Sequence, residues 1–244
     1  MSYLTEVRLI RDEVESFDKY PFSVPAIRNL DRLPLHPAVT YFVGENGSGK
    51  STLLEAIAVC AGFNSEGGSK FMNFRTHSES YPLADAIKLR RGVLREKDGF
   101  FLRAESFFNV ASYMDEISDP VAMLNNYGVV SLHGKSHGET FLMLAGTRFS
   151  GGGLFLLDEP ESALSPQRQL AFLRIIHNLV QDRGAQFLIA THAPILMAYP
   201  NSTLYLLQEN GITESKWTET EHVQLMRAFL DRPSSFIHHL FEAE

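Results

Sequence analysis

A glycine-rich octapeptide near the start of the chain has the residue types that hold phosphate groups. It reads Gly44-Glu45-Asn46-Gly47-Ser48-Gly49-Lys50-Ser51 and fits the pattern G-x-x-x-x-G-K-[ST] at every fixed position. Glycines let backbone N–H groups close around a phosphate, which also faces the positive end of the helix that follows. We expect Lys50 to reach the β- and γ-phosphates of a nucleotide and the Ser51 hydroxyl to be a magnesium ligand. Thr52, the next residue, is counted among the nucleotide-binding residues.

Two adjacent carboxylates in the second half of the chain could serve the same chemistry. Asp158 and Glu159 directly follow residues 154–157, an apolar run typical of a strand that is covered on both faces. Such a strand delivers negative charge to the carboxyl edge of its sheet. We expect Asp158 to hold Mg²⁺, directly or through water, and Glu159 to polarise the attacking water as general base.

Strands and helices alternate around these motifs. The glycine-rich loop lies between an apolar, β-branched run at residues 38–43 and a run of helix formers at residues 51–61. Further strands are predicted at residues 3–10, 100–104, 187–190 and 204–207, and further helices at residues 107–117, 138–148 and 166–183. Ser165 and Pro166 form an N-cap and N1 pair for the last of these helices. The alternation predicts an α/β fold, with a mostly parallel central sheet flanked by helices on both faces.

Length and composition indicate an ordinary globular protein. A chain of 244 residues lies within the range of single α/β domains, and 44% apolar with 21% charged residues is a typical balance. We expect one domain over residues 1–244, with a helical lobe at about 106–148. The sequence has no apolar run of about 18–20 residues and no signal pattern at its start, and Cys60 is its only cysteine. These features predict a cytoplasmic protein without membrane insertion.

The net charge bears on nucleic acid as a partner. At a formal charge of −7 the surface as a whole will not attract nucleic acid, so binding would need a local basic patch. One basic run exists, comprising Lys88, Arg90, Arg91, Arg95, Lys97 and Arg103. Because Glu96 and Asp98 interrupt it, a solvated surface explains the run better, and nucleic-acid binding has no support from the sequence.

Two segments of the chain resemble ABC-type ATPases. The sequence LLDEPESALS at residues 156–165 is similar to their Walker B and D-loop segment, and Thr191-His192-Ala193-Pro194 resembles their switch-histidine segment. The resemblance implies a P-loop NTPase fold with a small antiparallel and a helical portion, and ATP and Mg²⁺ as ligands. It also implies that His192 contacts the γ-phosphate and holds Glu159 and its water in line.

Two other segments of that family are matched only in part. The LSGGQ-like signature corresponds best to residues 135–139, where Ser136 and Gly138 agree with it. By this resemblance, Ser136 and Gly138 would contact the nucleotide of a second subunit, in a homodimer formed on ATP binding. Glu105 follows the strand at residues 100–104 where the family has a glutamine. Glu105 either contacts magnesium or the attacking water, or is an ordinary polar residue at a strand end.

Two assignments stay open on the sequence. The family's adenine-stacking aromatic residue lies upstream of the phosphate loop, where Phe17, Tyr20 and Phe22 are candidates, although isolated aromatic residues are more often in the core. The tail from Glu219 to Glu244 has helical periodicity. Core packing is the default for its apolar residues, and a dimer or partner surface is the alternative.

Three functions are compatible with these motifs. We expect a stand-alone ATPase whose ATP-driven dimerisation and hydrolysis switch an unidentified protein partner. Its loop resembles those of chromosome-maintenance and double-strand-break repair ATPases, but residues 106–135 are too few for their long coiled-coil arm. The alternatives are the ATPase subunit of a membrane transporter, which the altered signature disfavours, and a regulator that binds ATP without hydrolysis. The presence of both Glu159 and His192 disfavours the regulator.

Overall fold

The structure of the protein, a computed structural model, describes residues 2–65, 67–69, 81–96, 98–103, 137–149 and 152–242. Its strands are β1 (Leu4–Leu9), β2 (Arg32–Pro34), β3 (Val39–Val43), β4 (Ile87–Arg91), β5 (Asp98–Arg103), β6 (Gly153–Asp158), β7 (Gln186–Ala190), β8 (Ser202–Gln208) and β9 (Gly211–Ser215). Its α-helices are α1 (Pro25–Arg28), α2 (Lys50–Ala61), α3 (Pro82–Ala86), α4 (His137–Arg148), α5 (Pro166–Arg183), α6 (Pro194–Met197), α7 (Glu221–Asp231) and α8 (Pro233–Glu242). Short 3-10 turns lie at Arg11–Glu13, Pro160–Ala163 and Trp217–Glu219.

A six-stranded sheet in the order β5-β6-β7-β3-β8-β9 forms the centre of the structure. The strands from β5 to β8 are parallel to their neighbours, and β9 returns antiparallel to β8. Ala190 of β7 is level with Phe42 of β3 on one side and with Asp158 of β6 on the other. The carboxyl ends of β3, β6 and β7 therefore lie side by side, and each continues directly into a segment that carries one of the predicted motifs.

A second, smaller sheet is antiparallel, in the order β2-β1-β4, and the side chain of Gln186 in β7 hydrogen-bonds to the backbone of Leu4 in β1. Strand β1 pairs with β2 on one edge and with β4 on the other. The predicted α/β fold, with a mostly parallel central sheet, flanking helices and a small antiparallel portion, is thus confirmed.

Side chains of the central strands alternate between two cores. Tyr41 of β3 lies in the core that includes Phe141 of α4 and Phe172 of α5, whereas its neighbour Phe42 lies in the core that includes Leu53 of α2. A strand places successive side chains on opposite faces, so burial on both faces requires an unbroken apolar run. This is why β3, β6 and β7 read as continuous apolar segments in the sequence.

Helices α2 and α5 begin and end within one residue of the predicted bounds. Helix α2 begins at Lys50, directly after Gly49. Helix α5 has Pro166 in its first turn, after Ser165 with an extended backbone, and ends at Gly184 with a left-handed φ of 64°. None of the helices in the residues described above is long and apolar enough to cross a membrane.

Two predictions in the middle of the chain reach beyond the described residues. The helix at 107–117 lies outside them, and of the predicted lobe at 106–148 only α4 is described. In the basic run, Arg91 pairs with Glu96 across 2.8 Å and Arg103 with Glu55 across 3.1 Å. These pairings fit the interpretation of the run as an ordinary surface feature.

Core packing of the C-terminal tail was the wrong default. The tail forms α7 and α8 as its periodicity predicts, and Val223 is buried in the core that also includes Phe172 of α5. The other apolar residues of the tail are at least 38% exposed: Leu225, Met226, Phe229, Leu230, Phe236, Ile237, Leu240 and Phe241. A helical period identifies an apolar face, but it does not reveal whether that face meets the rest of the domain.

Candidate functional site

The phosphate loop connects β3 to α2 and is shaped by close approaches that only glycine permits. A Cβ atom on Gly44 would lie 2.5 Å from the backbone oxygen of Leu207 in β8. Gly49 has a φ of 95°, in the left-handed region that favours glycine, and its Cα faces Val24. The backbone of the loop is thus fixed against two neighbouring elements.

Lys50 is folded into this loop. Its side chain is buried, and Nζ donates hydrogen bonds to the backbone oxygens of Gly44 at 2.8 Å and Glu45 at 3.0 Å. An ammonium group has three N–H donors. Two of them bind these carbonyl oxygens, so one remains for a phosphate oxygen. The loop therefore holds the positive charge at its own centre.

Ser51 and Asp158 bring the two predicted motifs into contact. The Ser51 hydroxyl donates a hydrogen bond to Oδ1 of Asp158 across 2.9 Å. Asp158 ends β6 and is only 7% exposed, and Ser51 lies in the first turn of α2. A hydroxyl and a carboxylate side by side are hard oxygen donors of the kind that Mg²⁺ prefers.

Glu159 has an unusual backbone conformation at the edge of the sheet. Its φ of 48° and ψ of 52° are left-handed, which is uncommon for a residue other than glycine. Its N–H donates to the Ala190 oxygen at 2.9 Å, and its carbonyl accepts from the Ser162 hydroxyl at 2.9 Å. These bonds hold the turn, and Glu159 lines a pocket of about 170 Å³ together with Lys50.

His192 is anchored beside Glu159 by a third carboxylate, Glu161. Oε1 of Glu161 accepts hydrogen bonds from the Thr191 hydroxyl at 2.7 Å and from the His192 N–H at 2.9 Å. Nδ1 of His192 lies 3.8 Å from Oε1 of Glu159 and 3.6 Å from Oε1 of Glu161. The structure therefore brings His192 and Glu159 together, as predicted. Glu161 was not among the predicted site residues, and its place in the turn after the acidic pair is the one feature of the sequence that points to it.

The three aromatic candidates for adenine stacking separate clearly. Phe22 is buried, and Phe17 packs edge-on against it with the guanidinium of Arg11 over its ring. Tyr20 is 70% exposed, and its hydroxyl lies 2.9 Å from Oγ1 of Thr52. Tyr20 also lines the pocket that contains Glu159. Of the three residues, the structure brings Tyr20 to the phosphate loop.

Gly138 lies in the first turn of α4 and packs within its own chain. A Cβ atom there would lie 2.7 Å from the Ala163 backbone oxygen and 2.7 Å from Nη1 of Arg168 in α5. This close approach explains why the position is a glycine. A contact between Gly138 and the nucleotide of a second subunit stays a prediction. Ser136 and Glu105 lie outside the described residues. The strand before Glu105 does end at this edge, because Arg103 of β5 is level with Asp158.

Family models match both halves of this site. Residues 14–100 match the model described as "AAA domain", and residues 140–198 match "AAA domain, putative AbiEii toxin, Type IV TA system". The first range contains the phosphate loop, and the second contains the acidic pair and His192.

Two curated proteins are similar to the chain. The tungstate uptake system ATP-binding protein TupC of Campylobacter jejuni is 23% identical over 224 residues, which covers 80% of this chain and 66% of that protein. A putative ABC transporter ATP-binding protein of Methanothermobacter thermautotrophicus is 26% identical over 210 residues, covering 79% and 73%. The chain therefore spans about two thirds of the length of the first of these relatives.

Solved structures share the fold. An inward-facing putative metal-chelate type ABC transporter has a TM-score of 0.53 at 16% identity, covering 93% of this chain and 88% of its own. The ADP conformation of MJ1267, an ATP-binding cassette of an ABC transporter, has a TM-score of 0.52 at 18% identity, covering 99% and 100%. Both family models describe AAA domains, and the likeness to these structures shows that the chain has the P-loop ATPase fold that they share.

Proposed function

We propose that the chain binds Mg-ATP at residues 44–52 and hydrolyses it with Glu159 as the general base. The observation that carries this proposal is the contact between Ser51 and Asp158, which joins the phosphate loop to the acidic strand end. Lys50 supplies the positive charge for the β- and γ-phosphates through its remaining N–H donor. Tyr20 is the exposed aromatic residue on the same pocket and supplies a face for adenine.

Ser51 and Asp158 are the residues that would hold magnesium. Their oxygens fit the ion's preference for hard ligands. Ser51 lines the pocket beside the phosphate loop, and Asp158 is its hydrogen-bond partner. When bound, the ion neutralises charge on the phosphate oxygens. Glu105, the third proposed ligand, remains a prediction on sequence grounds.

Glu159 and His192 have separate roles at the γ-phosphate. Glu159 is partly exposed towards the pocket, where its carboxylate can accept a proton from the attacking water. His192 contacts the γ-phosphate and keeps that water in line with Glu159. Glu161 fixes the His192 backbone and leaves the ring as the part that can turn.

We also propose that two copies of the chain form a dimer on ATP binding and thereby switch a protein partner in the cytoplasm. The family resemblance supports this, with Ser136 and Gly138 of one copy facing the nucleotide of the other. The exposed apolar face of α7 and α8 is a surface that a protein partner could bind. Nucleic acid has no support as that partner.

The second candidate is the ATPase subunit of a membrane transporter. The names of both curated relatives favour it, because each is an ATP-binding protein of an uptake system or transporter. Purification of the native protein separates the two candidates. A membrane protein that co-purifies in equal amount supports the transporter subunit, whereas a membrane-free preparation with ATPase activity supports the stand-alone enzyme.

Release of phosphate from Mg-ATP by the purified chain tests the proposal. Lys50→Ala should weaken ATP binding roughly 10- to 100-fold, since a hydrogen bond to a charged group contributes about 1.5–3 kcal/mol. Lys88→Ala, an exposed lysine on β4, is the matched control and should bind and hydrolyse ATP like the original protein. Equal ATP affinity of the Lys50→Ala protein would refute the proposed role of this lysine.

A further inference from the structure

His222 at the start of α7 contacts two parts of the nucleotide site. Its ring stacks on that of His192, with centroids 5.8 Å apart and planes inclined by 27°. Its Nε2 atom lies 3.4 Å from Oε1 of Glu45 in the phosphate loop. No sequence motif marks this residue. It lies in the first turn of a C-terminal helix, many positions along the chain from the strand ends that carry the site.

The contact with His222 matters because other contacts leave the His192 ring loosely held. Glu161 fixes the backbone of His192 through a 2.9 Å hydrogen bond to its N–H. Nδ1, however, lies 3.6 and 3.8 Å from the nearest oxygens of Glu161 and Glu159, which is longer than a hydrogen bond. With 43% of the His192 side chain exposed, the stacked ring of His222 is the contact that restricts how far the imidazole can turn.

A groove of about 850 Å³ lies between the start of α7 and the phosphate loop, and Glu45 and His222 both line it. One wall is formed by residues 44–48 and the end of β8, and the other by Glu219, Glu221 and Gln224. His222 spans the two walls through its approach to Glu45. The beginning of α7 is thus joined to the nucleotide site at His222.

We propose that His222 is a positioning residue that holds the His192 ring for its contact with the γ-phosphate and couples that ring to α7. The inference rests on the proposed role of His192. It adds a residue from the C-terminal helices to a site that is otherwise built from strand ends and the phosphate loop. It also gives the exposed apolar face of α7 and α8 a physical connection to the nucleotide.

The only tryptophan of the chain, Trp217, is placed to report this coupling. It lies in the 3-10 turn before α7, where its carbonyl accepts a 2.8 Å hydrogen bond from the hydroxyl of Thr220. Thr220 in turn accepts a backbone hydrogen bond from Gln224 in the first turns of the helix. A movement at the start of α7 therefore changes the surroundings of a half-exposed indole, whose fluorescence can be followed.

Steady-state kinetics of three variants test the positioning role. His222→Ala should lower kcat roughly 5- to 20-fold and change the KM for Mg-ATP less than about twofold, because the phosphate loop still holds the nucleotide while His192 no longer keeps the attacking water in line. His222→Phe keeps a ring to stack and should recover to within about threefold of the original kcat. His222→Gln can reach Glu45 but offers no ring, and should behave like His222→Ala. His239→Ala on α8 is the matched control and should hydrolyse ATP normally.

Either of two kinetic results would overturn the positioning role. One is a kcat for folded His222→Ala protein that equals the original, and the other is a rescue by His222→Gln as full as that by His222→Phe. If His222→Ala is unaffected while Glu159→Gln and Lys50→Ala lose activity, the inference fails and the proposed function stands. If Glu159→Gln still hydrolyses ATP, the proposed function itself fails.

Trp217 fluorescence tests the coupling with the full chain. Mg-ATP added to the hydrolysis-deficient Glu159→Gln protein should change the emission, and the change should fall by at least half when His222→Ala is added to the same protein. His239→Ala in that background should leave the change intact. A response that is absent from the Glu159→Gln protein, or as large with His222→Ala as without it, would overturn the coupling.

Discussion

Ser51 donates a hydrogen bond to Asp158 across 2.9 Å, although the two residues lie 107 positions apart in the chain. The sheet order explains the contact. Strand β6 lies one strand away from β3, with β7 between them, and helix α2 packs across β6 and β7 as it leaves the phosphate loop. The first turn of α2 is thus brought over the carboxyl end of β6. A parallel sheet turns two distant motifs into one site.

Asp158→Asn should raise the Mg²⁺ concentration needed for half-maximal ATPase activity by roughly 10- to 100-fold. The amide keeps an oxygen that can accept the Ser51 hydrogen bond, but it lacks the negative charge that attracts the cation. Phosphate release measured over a magnesium titration checks this. Asp231→Asn, an exposed residue at the end of α7, is the control. An unchanged magnesium requirement would show that Asp158 does not hold the ion.

Glu161→Ala should destabilise the fold as well as slow hydrolysis. The substitution leaves the Thr191 hydroxyl and the His192 N–H without their common acceptor, which costs about 1–3 kcal/mol per buried group. The two groups together cost about 2–6 kcal/mol. For a domain of this size, 1 kcal/mol moves Tm by about 2–4 °C, so we expect Tm to fall by roughly 4–24 °C. Glu161→Gln retains one acceptor oxygen and should lose less than half as much. Equal Tm values for all three proteins would contradict the anchoring role.

Thermal stability should decrease as pH falls below about 6.5, in part through His36. Burial lowers the pKa of His36, whose Nδ1 accepts hydrogen bonds from the N–H groups of Ala38 and Val39 ahead of β3. The unfolded chain therefore takes up a proton at a higher pH than the folded chain, so stability is complete above the unfolded pKa and is lost progressively below it. His36→Asn keeps an acceptor without titrating.

The comparison of these two proteins isolates the contribution of His36. Between pH 7.5 and 5.5, the Tm of the original protein should fall further than that of His36→Asn, because only the original protein has the histidine whose pKa is lowered by folding. All other residues are the same in both proteins, so the difference between the two curves reports on position 36. An equal decline in both proteins would mean that the lowered pKa of His36 has no measurable effect on folding.

The sequence predicts the central sheet well, because strands buried on both faces leave unbroken apolar runs and the motifs follow those runs directly. The sequence could not distinguish Phe17, Tyr20 and Phe22 as candidates for adenine stacking. All three lie in one loop before α1, and only the folded loop shows which ring is buried and which is exposed. Glu161 and His222 were missed for a related reason. Each acts through a contact with the end of β7 that depends on tertiary packing and leaves no periodic signal.

The C-terminal tail shows what helical periodicity in a sequence does not predict. Its helices were predicted correctly, yet only the inward position of Val223 reaches the core, and the remaining apolar face is exposed. An amphipathic pattern fixes the orientation of residues around a helix axis. Whether that face is covered depends on how the helix is placed against the rest of the domain, and here the first turn of α7 contacts the site through His222.

Glu159→Gln is the substitution that tests the central claim most directly. The amide keeps the size of the side chain but cannot accept a proton, so Mg-ATP binding should persist while phosphate release falls roughly 100-fold or more. Glu214→Gln, an exposed residue on β9, should retain full activity. Light scattering of the Glu159→Gln protein should then show a shift from one to two subunits on adding Mg-ATP. Phosphate release at the original rate by this protein would contradict the account of Glu159 as the base, and a protein that binds ATP yet stays monomeric would contradict the proposed dimer.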